Sequence, residues 1–110
     1  MSIDKTKLYI AAFNDKDITT IESLLDDEFV LEDPVVIRVE GKNNAIRTIQ
    51  GIFDSCEKLT FSEKNIFLDG NNTIIEFDLQ LDKQKLKGVD IIEWSNGKML
   101  ELRAYLDIPK

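Results

Sequence analysis

Three side chains of this 110-residue chain sit where proton chemistry is conceivable: Asp90, Asp33 and Tyr9. Asp90 lies in the run Leu86-Lys87-Gly88-Val89-Asp90-Ile91-Ile92-Glu93-Trp94. An extended strand there puts Leu86, Gly88, Asp90, Ile92 and Trp94 on one face. A carboxyl group on such a face is costly if ionised and unpaired. Burial would raise its pKa and could keep it neutral, as a hydrogen-bond donor. The other reading is a half-exposed aspartate on a reversed face, with Lys85, Lys87, Val89, Ile91 and Glu93 outward or in a dimer interface. The pattern alone leaves both open. Asp33 precedes Pro34, which drives it toward extended geometry, and Asp-Pro is also a common structural turn. Tyr9 falls on an apolar helical stripe, where a tyrosine serves as core while its hydroxyl finds any partner.

Composition narrows the remaining chemistry. The chain has no histidine and one cysteine, Cys56. Ser-His and Cys-His catalysis, imidazole shuttles, histidine metal sites, intramolecular disulfides and multi-cysteine metal sites are thereby excluded. Acid–base work falls to carboxylates, tyrosine, lysine or the thiol. Asp26-Asp27-Glu28 imitates a metal site, but no further ligand pattern accompanies it, and it reads as a solvated loop. Cys56 ends an apolar stripe and reads as an inert buried thiol. The stretch Lys83 to Lys87 has no interleaved aromatics and reads as a solvated hairpin. A net charge of −7 disfavours non-specific contact with nucleic acid or an anionic membrane. The N-terminus lacks the apolar run of a signal peptide, and no stretch approaches the roughly 20 apolar residues of a membrane span. A cytoplasmic protein with no metal or organic cofactor is expected.

The elements that must position these residues are readable from periodicity. Leu8, Tyr9, Ala11, Ala12 and Phe13 predict a helix from about Asp4 to Asn14. Asp17 stands as N-cap before a second short stripe of Ile18, Ile21, Leu24 and Leu25. Phe29-Val30-Leu31 reads as a short strand ended by Asp33-Pro34. Gly41 marks a turn, with Asn43 or Asn44 capping a third helix along Ala45, Ile46, Ile49, Ile52, Phe53 and Cys56. The period then changes to two: strands are expected over Leu59–Leu68, Thr73–Leu81, Leu86–Trp94 and Met99–Asp107. Asp69-Gly70-Asn71-Asn72 and Ser95-Asn96-Gly97-Lys98 supply turns. Helices followed by closely spaced strands give a single α+β domain, and an antiparallel meander is its simplest sheet.

In order, these residues resemble the bacterial ketosteroid isomerases and the wider NTF2-like superfamily. The resemblance runs through Tyr9-Ile-Ala-Ala-Phe-Asn-Asp-Lys-Asp-Ile-Thr-Thr-Ile and Leu25-Asp-Asp-Glu-Phe-Val-Leu-Glu-Asp-Pro34. It continues through Gly41, Val89-Asp90-Ile-Ile-Glu-Trp94, Asn96-Gly97-Lys98-Met99 and Arg103-Ala-Tyr105. It implies an NTF2-like cone, a strongly curved antiparallel sheet with three helices on its concave side. It also implies a general base at Asp33 and an oxyanion hole at Tyr9 and a protonated Asp90, as in those isomerases. Phe13, Leu25, Phe53, Phe77, Ile92 and Trp94 are expected to line the pocket around a small apolar or carbonyl-containing ligand. Leu25 stands where some isomerases carry another pocket tyrosine. Hydrolysis or cyclisation, as in the polyketide cyclases of the superfamily, and non-catalytic ligand binding are the other activities the resemblance admits. A homodimer through the outer sheet face, with Val89, Ile91, Met99 and Tyr105 in contact, is also implied.

Overall fold

A computed structural model describes residues 2–35 and 37–107. Three helices and six strands follow one another: α1 (Ser2–Asn14), α2 (Ile18–Leu24), β1 (Leu25–Asp33), β2 (Ile37–Glu40), α3 (Lys42–Asp54), β3 (Leu59–Asp69), β4 (Asn72–Leu81), β5 (Gln84–Ser95) and β6 (Lys98–Asp107). The strands form one curved sheet in the order β2-β1-β6-β5-β4-β3. α1 packs on β3 and β4, α3 on β1 and β2, and α2 joins the two helices.

The meander holds from β3 to β6, where every pair is antiparallel and joined by a short turn. At the Asn96-Gly97 turn both residues have positive φ, 52° and 77°, which suits the right-handed twist of a two-residue hairpin. The antiparallel expectation needs one correction: β1 runs parallel to β6 and antiparallel to β2, so the sheet is mixed. The hairpin signals that fix direction exist only between the last four strands. β1 reaches β6 through tertiary packing, which no local turn announces.

The acidic cluster also differs from its expected loop. It lies inside β1, and the pairing register on β6 slips between Leu25 and Val30. Asp27 and Glu28 stay exposed on this irregular stretch while Leu25 and Phe29 remain buried. β2 was not foreseen, because a short, exposed edge strand carries no burial alternation to read. The N-cap of α3 is Gly41, and the Asn44 side chain donates back to the Glu40 carbonyl instead.

Two details shape the concave side. Gly88 faces inward between Leu86 and Asp90. A Cβ there would lie 2.6 Å from the Tyr105 carbonyl oxygen and 2.9 Å from the Phe77 ring. The missing side chain lets β4, β5 and β6 close on one another. Between β5, β4 and α1, Trp94 Nε1 donates to Thr73 Oγ1 at 2.9 Å, and Thr73 and Thr6 hydroxyls meet at 2.8 Å. Thr6 bonds the Ser2 carbonyl, which can only accept. The chain therefore runs in one direction, from indole through Thr73 and Thr6 to Ser2, and pins α1 to the sheet with every donor used.

Candidate functional site

Between the helices and the concave sheet lies a cavity of about 250 Å³. α1 contributes Tyr9 and Phe13, β1 contributes Leu25, Phe29, Leu31 and Asp33, and α3 contributes Ile49 and Ile52. The other wall is Phe61 of β3, Phe77, Leu79 and Leu81 of β4, Gln84, Leu86 and Asp90 of β5, and Leu102, Ala104 and Leu106 of β6. These are the inward positions of each strand, as the two-residue period requires. Hydrocarbon dominates, and the polar side chains are Tyr9, Asp33, Gln84 and Asp90 alone among the lining residues.

The structure brings the three proton-carrying residues to this one cavity. Tyr9 and Asp90 are deep, each 5% exposed. The reversed-face alternative for β5 is thereby overturned: Leu86, Asp90, Ile92 and Trp94 are buried, while Lys85 and Lys87 are exposed. Asp33 lies half-buried at the end of β1, where the backbone N–H of Val35 donates to its Oδ1 at 2.8 Å. That bond closes the Asp-Pro turn and holds the carboxyl at the edge of the cavity.

Electrostatics separates the deep pair from ordinary side chains. Burial, and then the negative charge of Asp33, push the Asp90 carboxyl up to about 8. Burial first and the Asp90 charge second push the Tyr9 hydroxyl well above its ordinary value. Both groups thus hold a proton at neutral pH. Neither side chain makes a hydrogen bond among the described residues, and both open on the cavity. Two donors open there on one apolar space, with a second carboxyl group, Asp33, at its edge. Such an arrangement can stabilise charge developing on a ligand oxygen while a base acts beside it.

Of the six expected apolar contacts, Phe13, Leu25 and Phe77 line the cavity, whereas Phe53, Ile92 and Trp94 do not. Phe53 stands behind Phe13, its ring centroid 5.0 Å from the Phe13 ring. Ile92 and Trp94 share the face of Asp90 but lie at Thr73, Ile92 opposite it on β4 and Trp94 bonded to its hydroxyl. Among the residues missed, Leu79 and Leu81 repeat the alternation of Phe77, and Leu86 and Gln84 that of Asp90; that signal could have found them. Phe61, 4.7 Å from Phe77 between centroids, needed the β3–β4 register. No group of three or more acidic or cysteine side chains suited to a metal ion occurs among the described residues. No helix is long and apolar enough to cross a membrane.

Comparison with known proteins places this geometry. The SnoaL-like domain model matches residues 6–102. No curated protein sequence matches the chain. Among solved structures, an NTF2-like protein of unknown function from Cytophaga hutchinsonii superposes with a TM-score of 0.85 at 17% identity, covering 97% of this chain and 90% of that one. A provisionally assigned ketosteroid isomerase from Kribbella flavida gives 0.83 at 18% identity, over 96% and 76% of the two chains. An LEH-like epoxide hydrolase from M. tuberculosis gives 0.77 at 18% identity, over 93% and 79%. These likenesses show an NTF2-like fold.

Proposed function

The chain belongs to the SnoaL-like family, and from that membership and its cavity we propose a small-molecule enzyme that moves a proton alpha to a carbonyl. The observation that carries this reading is Asp90: a deep carboxyl group held neutral, beside Tyr9, in a cavity that Asp33 also enters. Asp33 takes the proton from carbon. The carbonyl oxygen, as it gains negative charge, accepts hydrogen bonds from Tyr9 and from protonated Asp90. Return of the proton to another carbon completes an isomerisation. Each donor of this kind contributes about 10²- to 10³-fold in rate. Ionisation of Asp90 removes one donor, so the rate falls as pH rises through about 8. The Kribbella flavida likeness supports the reaction type, and the epoxide hydrolase likeness shows the fold accommodating another one.

The test is deuterium incorporation alpha to the carbonyl, in heavy water, over ketones that include a β,γ-unsaturated ketosteroid and bicyclic ketones. Exchange is expected with the unaltered protein and loss of at least about 10²-fold with Asp33→Asn. Exchange that survives the substitution moves the base elsewhere and refutes the mechanism.

We propose in addition that two copies pair through the convex sheet face. Phe67, Ile74 and Ile91 lie side by side there in register, next to Val89 and Tyr105. Phe67 and Tyr105 are more than half exposed. Met99, expected in this contact, is fully buried and takes no part. The slip in register between Glu93 and Trp94 turns it onto the inner face opposite Trp94.

A further inference from the structure

Resting on the same site, we infer that the cavity takes a compact, uncharged ketone of one or two rings, its oxygen at Tyr9 and Asp90 and its hydrocarbon toward Leu81. Four features of the structure lead there. The first is size. An apolar cavity of about 150 Å³ holds benzene, so by the same ratio a space of this size suits about ten non-hydrogen atoms. The volume of about 250 Å³ also falls below the 300–1,000 Å³ or so usual for drug-sized ligands. A four-ring ketone of about twenty non-hydrogen atoms would need about twice the volume.

The second feature is what lies past the cavity. Asp33, Ala104 and Leu106 also border an open groove of about 620 Å³ that contains Ile37 and Tyr105 beside Glu32, Arg103 and Asp107. A longer hydrocarbon skeleton pushed through would leave the cavity for this open groove, where it stays partly in contact with water and loses part of the gain from burial. The third is charge. No lysine or arginine lines the cavity, while two aspartates do. A carboxylate or phosphate ligand would be desolvated there with no counter-charge. The fourth is the distribution of polarity. Tyr9 and Asp90 are deep, leucines occupy the walls along β4, β5 and β6, and exposed Gln84 stands beside half-buried Leu81, its hairpin partner, at the rim. A ligand with one oxygen at its inner end and hydrocarbon behind it matches that order.

Calorimetric titration with 2-decalone, decalin-2-carboxylate, the corresponding primary amine and androstan-3-one tests the inference without requiring turnover. 2-Decalone is expected to bind at least about 10-fold more tightly than the four-ring ketone, and the carboxylate more weakly still. In Ile52→Ala, which widens the α3 wall, the preference for the smaller ketone should shrink. Equal or tighter binding of androstan-3-one, of the carboxylate or of the amine by the unaltered protein overturns the inference, as does failure of both ketones to bind. Selective binding of 2-decalone without alpha-proton exchange would instead refute the enzymatic reading and leave the ligand class standing. Exchange confined to the four-ring ketone would do the reverse.

Discussion

Changing Asp90 to asparagine should make stability less sensitive to alkaline pH, by an amount that follows from the burial of the carboxyl. In the folded chain this group is pushed from 3.8 up to about 8. Between those values the unfolded chain has lost the proton and the folded chain still holds it. The folded state therefore binds more protons, and stability falls as pH rises, by about 1.4 kcal/mol per unit from this site. The contribution is fully present below about 3.8, is lost progressively toward 8, and is gone above it. From pH 5 to pH 8 the loss amounts to about 3–4 kcal/mol, a large part of the 5–15 kcal/mol or so that holds a domain together. Asparagine keeps the shape and cannot ionise. All other titrations are common to both proteins, so the difference between them isolates Asp90. Urea denaturation of each at pH 5, 6, 7 and 8 reads it directly. With a slope of about 1.5 kcal/mol per molar urea, the Asp90→Asn midpoint should gain about 2 M on the unaltered protein across that range. A gap that stays constant with pH would mean that Asp90 is ionised and paired in the folded chain, and would remove one of the two proposed donors.

Gly88→Ala should destabilise the protein by about 1–3 kcal/mol, since the new methyl meets the Tyr105 carbonyl, Leu106 and Phe77 at under 3 Å. Thermal melting checks it, and an unchanged midpoint would show that the sheet relaxes at no cost. Ile91→Lys, at the centre of the apolar row on the convex face, should convert a dimer to a monomer in sedimentation equilibrium while leaving 2-decalone binding intact. A monomer before substitution refutes the pairing.

How much of the site was legible depended on which contacts positioned each residue. The two-residue period of β5 placed Asp90 inward because Leu86, Ile92 and Trp94 share its face, and the helical stripe did the same for Tyr9 and Phe13. Where the cavity stops along that face was not legible. Beyond Asp90 the face packs instead on Thr73, which meets Thr6, a contact across 67 residues that leaves no local trace. Ile92 and Trp94 were assigned to the pocket for that reason. The position of Asp33 at the cavity edge depends on β1 lying beside β6, a parallel pairing that no turn residue encodes. The proline marked the end of the strand, and the family resemblance supplied the role proposed for Asp33.

Two buried polar side chains of β5, Asp90 and Trp94, stand four residues apart on one face, and their environments differ in kind. The Trp94 indole donates to Thr73, and the protons pass on through Thr6 to a backbone carbonyl, so every group is satisfied within the chain. Such a network holds α1 on the sheet and needs nothing from outside. Asp90 has no such partner: its carboxyl opens on a cavity, and burial and the charge of Asp33 make it keep its proton. A leucine in its place would fill the space and remove the penalty. Folding therefore gives no reason for an aspartate at this position, and Tyr9, whose hydroxyl opens on the same space without a partner among the described residues, presents the same case. Both donors open on a cavity walled by hydrocarbon, and on the proposed function the acceptor that completes them is an oxygen carried in by the ligand.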